Sequence, residues 1–119
     1  MASSNSATQY KLWFHVPVDS LEDCKKAIFD AGAGRYPGPG DYTECCFVTL
    51  GKGQFRPGQS ANPHLGKIGD LEYVEEAKVE TLCVGQETVK KVVAALKRLV
   101  IKHTDSGLQS LTAIQSSSL

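Results

Sequence analysis

Apolar and polar side chains alternate over residues 10–17, Tyr-Lys-Leu-Trp-Phe-His-Val-Pro. Tyr10, Leu12, Phe14 and Val16 share one face, and Lys11, Trp13 and His15 share the other. This period of two predicts a strand with one buried face, ended by Pro17, which cannot donate to a ladder. The period then changes. Leu21, Cys24, Ile28 and Ala31 recur at helical spacing, predicting a helix over about 20–31. Asp19 and Glu22 stand three apart, as in a capping box, and Gly32 or Gly34 can supply a left-handed stop. Residues 34–41 form a turn-rich connection, and a second strand is expected at 42–50. There the buried face stays open between Cys46, Val48 and Leu50 on one side and Cys45 and Phe47 on the other.

Residues 51–70 show neither period and contain five glycines and two prolines. They read as one long loop, of a length more often functional than incidental. A third strand is expected over 71–84, with Ala77, Val79 and Cys83 on one face and Glu76, Lys78 and Glu80 on the other. A second helix follows from Gln86 to about His103. Val89, Val92, Val93, Leu96 and Val100 form its apolar stripe, and Lys90, Lys91, Lys97 and Arg98 lie mostly away from it. Leu108, Leu111 and Ile114 alternate poorly, so a final strand is left open. The order β-α-β-loop-β-α, with that last β, predicts an α+β fold. Two right-handed crossovers make it a ferredoxin-like βαββαβ two-layer sandwich. Strands one and three are then central, and strands two and three form the hairpin carrying the long loop.

Composition narrows the function classes. Thirteen basic residues balance thirteen acidic ones, which argues against a general nucleic-acid binder. No apolar run approaches the roughly 18 residues that span a bilayer, so no membrane role is expected. The serine-rich start has neither a signal's apolar core nor a transit peptide's arginines, and a cytoplasmic location is the expectation. Residues 1–9 are expected to be disordered. Cys24, Cys45, Cys46 and Cys83 include no CxxC pair, so they read as reduced, small, partly buried residues rather than zinc ligands.

Several segments together carry a resemblance. These are residues 10–17, Ala31-Gly-Ala-Gly34, Gly53-Gln-Phe-Arg-Pro57, Ala61-Asn-Pro-His64, Gly66-Lys-Ile-Gly69 and Val74-Glu-Glu76. Over about residues 10–98 the chain resembles the insert domain of the Nif-three family (YbgI/YqfO proteins), and above all standalone relatives of that insert. The resemblance implies a fold similar to CutA and the PII signalling proteins, often trimeric. It also implies that the family's two-metal site, which belongs to flanking domains, is not carried over. A Nif-three-like domain over 10–103 is expected, followed by an atypical, partly disordered tail over 104–119. The family's His-Pro-Tyr-Glu motif before the last strand has no counterpart here beyond His103.

The candidate site is the loop. Lys52, Arg56, Asn62, His64 and Lys67 bring cations and an amide near glycine-rich backbone, which suits an anion. Against this, Phe55, Pro57, Pro63 and Leu65 could simply pack the loop down. Trp13, on the nominally outer face, and Phe55 are the candidate oligomer contacts, although the loop could instead cover Trp13. His15, His64 and His103 share no metal-ligand spacing. Glu76 and Glu80 stand roughly 13 Å apart along one strand face, too far for a paired acid and base. No catalytic residue, metal site or cofactor is assigned. The expectation is a non-catalytic binding, regulatory or assembly module. It would be homo-oligomeric, with a trimer favoured over a dimer, and would take a small anionic ligand or a protein partner. The alternatives are a small enzyme using Arg56, His64 and glutamates of a neighbouring subunit, and a purely structural oligomerisation domain.

Overall fold

The computed structural model describes residues 8–61, 66–102 and 112–117, with 100–102 and 112–117 described by backbone alone. Its elements are β1 (Gln9–Pro17), α1 (Leu21–Asp30), β2 (Cys46–Phe55), β3 (Glu72–Val84), α2 (Gln86–Lys102) and β4 (Thr112–Ser117). The strands form one antiparallel sheet in the order β2-β3-β1-β4. That is the ferredoxin-like arrangement, with β1 and β3 central. The last strand, left open by the sequence, pairs with β1, and Ile114 stands opposite Leu12. Among the described residues no helix is long and apolar enough to cross a membrane.

One face of the sheet makes the core. Leu12, Phe14 and Val16 of β1 and Ala77, Val79 and Cys83 of β3 are buried against Cys24 and Ile28 of α1 and Val89, Val92 and Leu96 of α2. Each fully buried large side chain contributes about 1.5–3 kcal/mol. Thr81, the one polar residue in this buried set, donates its hydroxyl to the Cys45 carbonyl at 2.8 Å. Its desolvation is thereby offset. The open choice in β2 resolves in favour of Cys46 and Val48, which pack on the core, while Phe47 faces away and is 66% exposed.

Three local expectations are corrected. Asp19 does not cap α1. It sits inside a 3-10 turn, Val18–Ser20, which begins directly after Pro17 and leaves Ser20 at the cap position without a side-chain hydrogen bond. The second strand runs over Cys46–Phe55 rather than 42–50, because Asp41 and Glu44 take left-handed backbone (φ 57° and 55°) that no strand accommodates. The long loop therefore starts at residue 56. Residues 51–55 are strand, paired with Glu76 back to Glu72. Gly53 does not break the strand, because the space its Cβ would fill is taken by the Glu76 carboxylate, 2.5 Å away.

The end of α1 follows the expected pattern. Gly32 (φ 107°) donates to the Phe29 carbonyl, and Ala33 donates to Ile28, both at 3.0 Å, a Schellman closure. Gly34 (φ 77°) then docks on the sheet edge. Its amide donates to the Leu82 carbonyl at 2.7 Å, and its carbonyl accepts from the Cys45 amide at 3.0 Å. A Cβ here would lie 2.7 Å from the Cys45 backbone nitrogen and oxygen. Gly34→Ala should therefore cost about 2–3 kcal/mol, combining the left-handed penalty with backbone overlap, read as a lower urea midpoint with an unchanged slope.

Burial pushes the Cys24 and Cys83 thiols up from 9.0 to about 11, and Asp23 adds to the effect at Cys24. A folded-state pKa above the unfolded one means the native state holds its proton longer. The stabilising contribution is whole below pH about 9 and is lost as pH rises toward about 11. Denaturation midpoints should fall across that window, and a Cys24→Ala/Cys83→Ala variant should show a flatter decline.

Candidate functional site

The two helices cover one face of the sheet, and the other face is left open by the described residues. Trp13 stands on that open face, half-exposed. Its ring meets His15 edge-on at 5.5 Å between centroids, and the Lys78 ammonium lies 4.8 Å from the ring centre. Beside it Lys11 pairs with Glu80 at 2.9 Å. That hydrogen-bonded ammonium holds the Glu80 carboxyl below the usual carboxylate range, with Lys78 adding to the effect. Register explains the cluster. Trp13 faces Glu80, which faces Phe47 across β2, and His15 faces Lys78. An aromatic layer flanked by paired charges is thus set into a sheet face by strand alternation alone.

The hairpin of β2 and β3 continues past the helices as an arm. From Leu50 to Phe55 it extends about 17 Å. Beyond the reach of the helices its core-side residues become exposed, with Leu50 at 67% and Tyr73 at 55%. Lys52 lies on this arm opposite Glu75, and both are exposed. Past the arm the chain closes on itself at a neck. The Arg56 guanidinium donates to the Gly69 carbonyl at 2.8 Å, and the Gly69 amide donates to the Pro57 carbonyl at 2.8 Å. Pro57 is buried. Lys67 begins a turn in which the Asp70 amide donates back to its carbonyl at 3.1 Å. Gly66, with φ 78°, leaves the space that the Glu72 side chain fills.

The predicted site residues divide accordingly. Arg56 is committed to the neck, with one guanidinium nitrogen bonded to backbone. Lys52 is four strand residues from Arg56, about 13 Å, so the structure does not bring these two cations together. Lys67 is exposed at the neck turn. Asn62, Pro63, His64 and Leu65 lie outside the described residues, as does His103. Phe55 and Trp13 share the open face, but Phe55 pairs with Glu72 and Trp13 with Glu80. The two positions are eight residues apart along β3. The residues passed over by the sequence reading are Phe47 and Lys78. Lys78 was on the outer face by alternation, but its approach to Trp13 depends on the register between β1 and β3, which no single strand encodes. Among the described residues, no three His, Cys, Asp or Glu side chains converge as a metal site.

No protein-family model matches the chain. Curated relatives named "GTP cyclohydrolase 1 type 2 homolog" do. The protein from Halalkalibacterium halodurans is 40% identical over 96 residues, covering 81% of this chain and 25% of that protein. The one from Staphylococcus epidermidis is 37% identical over 87 residues, covering 73% and 23%. The chain therefore spans about a quarter of the length of the curated relatives it matches. Among solved structures, a Bacillus cereus protein related to NIF3 superposes with a TM-score of 0.57 at 29% identity, over 95% of this chain and 26% of that one. The Bacillus subtilis GlnK–ATP complex superposes with a TM-score of 0.61 at 14% identity, over 93% and 84%, and shares the fold. The fold is thus PII-like, and the chain is a relative of the Nif-three family, similar to one segment of its longer bacterial members.

Proposed function

We propose that this chain is a binding or assembly module that associates with copies of itself through the open face of its sheet. The arm and neck of the β2–β3 hairpin would then reach a small anion or a protein partner. The observation that carries this reading is Trp13. A tryptophan, with Phe47 on the same face across Glu80, occupies a face that the helices leave bare, with the Lys11–Glu80 pair and Lys78 around it. Large aromatic groups on such a face are the usual anchors of a protein interface, and the surrounding charges set its register. The PII-like fold favours a trimer over a dimer, as the family resemblance implies. The activity named for the relatives belongs to proteins about four times as long, and this reading assigns none of it to the chain.

Native mass spectrometry at about 10 μM should give a trimer; that concentration lies above the dissociation constant of an ordinary specific interface. Trp13→Glu would oppose Glu80 and remove the anchor, so it should give a folded monomer with an unchanged far-ultraviolet spectrum. A wild-type chain that stays monomeric at this concentration would sink the assembly reading.

At the neck, Arg56 and Lys67 have separable roles. Arg56 supports the loop through Gly69, and Lys67 is the exposed cation beside it. Hydrogen exchange at the Gly69 amide should quicken about tenfold in Arg56→Ala, the equivalent of one charged hydrogen bond. Lys67→Ala should leave that exchange unaltered and weaken binding of ATP, the ligand in the GlnK complex, measured by calorimetry. Equal ATP heats from wild type and Lys67→Ala would remove the neck as an anion site.

A further inference from the structure

A second concavity lies on the helix side of the sheet, away from both the open face and the neck. It is a cleft of about 610 Å3 between α1 and the connection that follows it. This volume falls in the range of small-molecule sites. Its apolar lining residues are Phe29, Ala33 and Cys46, set among charged and polar ones. Burial holds the Cys46 thiol up, so at neutral pH it presents an uncharged sulfur to the cleft.

The charges around these residues are not all equivalent. On α1, Lys25 is paired with Glu22 at 3.3 Å and Lys26 with Asp30 at 3.0 Å. Across from them, Arg35 and Glu44 also line the cleft, and neither has an ion-pair partner among the described residues. The wall that carries them is fixed. Gly34 is bonded to Leu82, Cys45 to Gly34 and Thr81 to Cys45. The Tyr36 amide closes the intervening turn on the Tyr42 carbonyl at 3.1 Å. Glu44 itself is held in left-handed backbone, a conformation uncommon for glutamate. These tethers fix the backbone that carries one unpaired cation and one unpaired anion of the cleft's lining, among the described residues.

We infer that this cleft is a binding site for a zwitterionic amino acid with a large apolar or aromatic side chain. The side chain would lie on Phe29 and Cys46, the carboxylate would meet Arg35, and the ammonium would meet Glu44. A simple anion would be opposed by Glu44 and a simple cation by Arg35, so a ligand carrying both charges is the one that the wall suits. Both charged groups are exposed, which limits affinity and makes the apolar lining a necessary part of binding. The cleft lies within one chain and does not depend on the assembly proposed above.

The test uses the isotope-labelled full chain and amide chemical shifts, with L-phenylalanine as the probe. Saturable shifts should appear around Phe29, Arg35 and Glu44, with a dissociation constant of about 1 mM. Phenethylamine and 3-phenylpropionate, each lacking one charge, should bind about tenfold more weakly. Arg35→Ala should weaken L-phenylalanine about as much as removing its carboxylate does. Three equal affinities, shifts confined to the arm, or no saturation at about 20 mM, well above that expected constant, would each overturn the assignment. The comparison of the three probes needs only the wild-type chain, so it stands even if the variant fails to fold.

Discussion

Residues Glu76 to Thr81 of β3 are each flanked by a partner on both sides, β1 and β2, whereas Glu72 to Glu75 pair with β2 alone and Leu82 to Val84 with β1 alone. The alternation of this strand divides the molecule. Ala77, Val79, Thr81 and Cys83 turn toward the helices, and Glu76, Lys78, Glu80 and Leu82 turn away from them. A slip of one residue would send the charged set into the core and the apolar set to the open face, so register is tightly specified wherever the helices cover the sheet. The same register brings Lys78 to Trp13 and Glu80 to Lys11. Core and open face are therefore two consequences of one pairing.

Beyond Ala77 that constraint relaxes. The helices no longer cover the strands, and Leu50 and Tyr73 are exposed although they keep the core-side parity. What keeps the arm extended is backbone pairing together with the fit of Glu76 over Gly53 and of Glu72 under Gly66. The arm's geometry is thus set by main-chain bonds and by the absence of side chains, with little apolar burial to hold it. Elements supported in this way open at lower free energy than core strands. That property suits the role proposed for the arm, in which it would adjust to a ligand or a neighbouring subunit.

Much of the fold was legible in the residues, because β1, β3 and the two helices each have a clear period and each buries one face. The order of elements and two crossovers then left few topologies, and β2-β3-β1-β4 is the one they indicate. Legibility failed where burial is one-sided or absent. Gly51 and Gly53 read as loop because glycine is a poor strand former, and strand propensity says nothing of the Glu76 carboxylate that takes the empty space at Gly53. Asp19 read as a cap because the 3-10 turn after Pro17 depends on how the chain leaves the sheet. The residues of the candidate site could be read from the sequence but not their surroundings: strand pairing puts Lys52 on β2, a hydrogen bond uses Arg56 internally, and Lys67 is exposed.

The two concave or bare surfaces differ in what they need. On the reading proposed above the open face takes another chain, since among the described residues Trp13 and Phe47 lie on the side of the sheet that the helices do not cover. The helix-side cleft is complete within one chain. Yet Cys46 in its lining and Phe47 on the open face are consecutive residues of one strand, pointing in opposite directions. In an assembly built on the open face, the cleft would remain on the outside, reachable by solvent. A ligand pressing on Cys46 would then act on the same strand that positions Phe47 against a neighbour. A displacement of β2 along or across the sheet cannot be confined to one side, because its ladder to β3 runs from Cys46 to Phe55 without a break. Coupling between the two surfaces would pass through that ladder, and the two need share no side chain for it to do so.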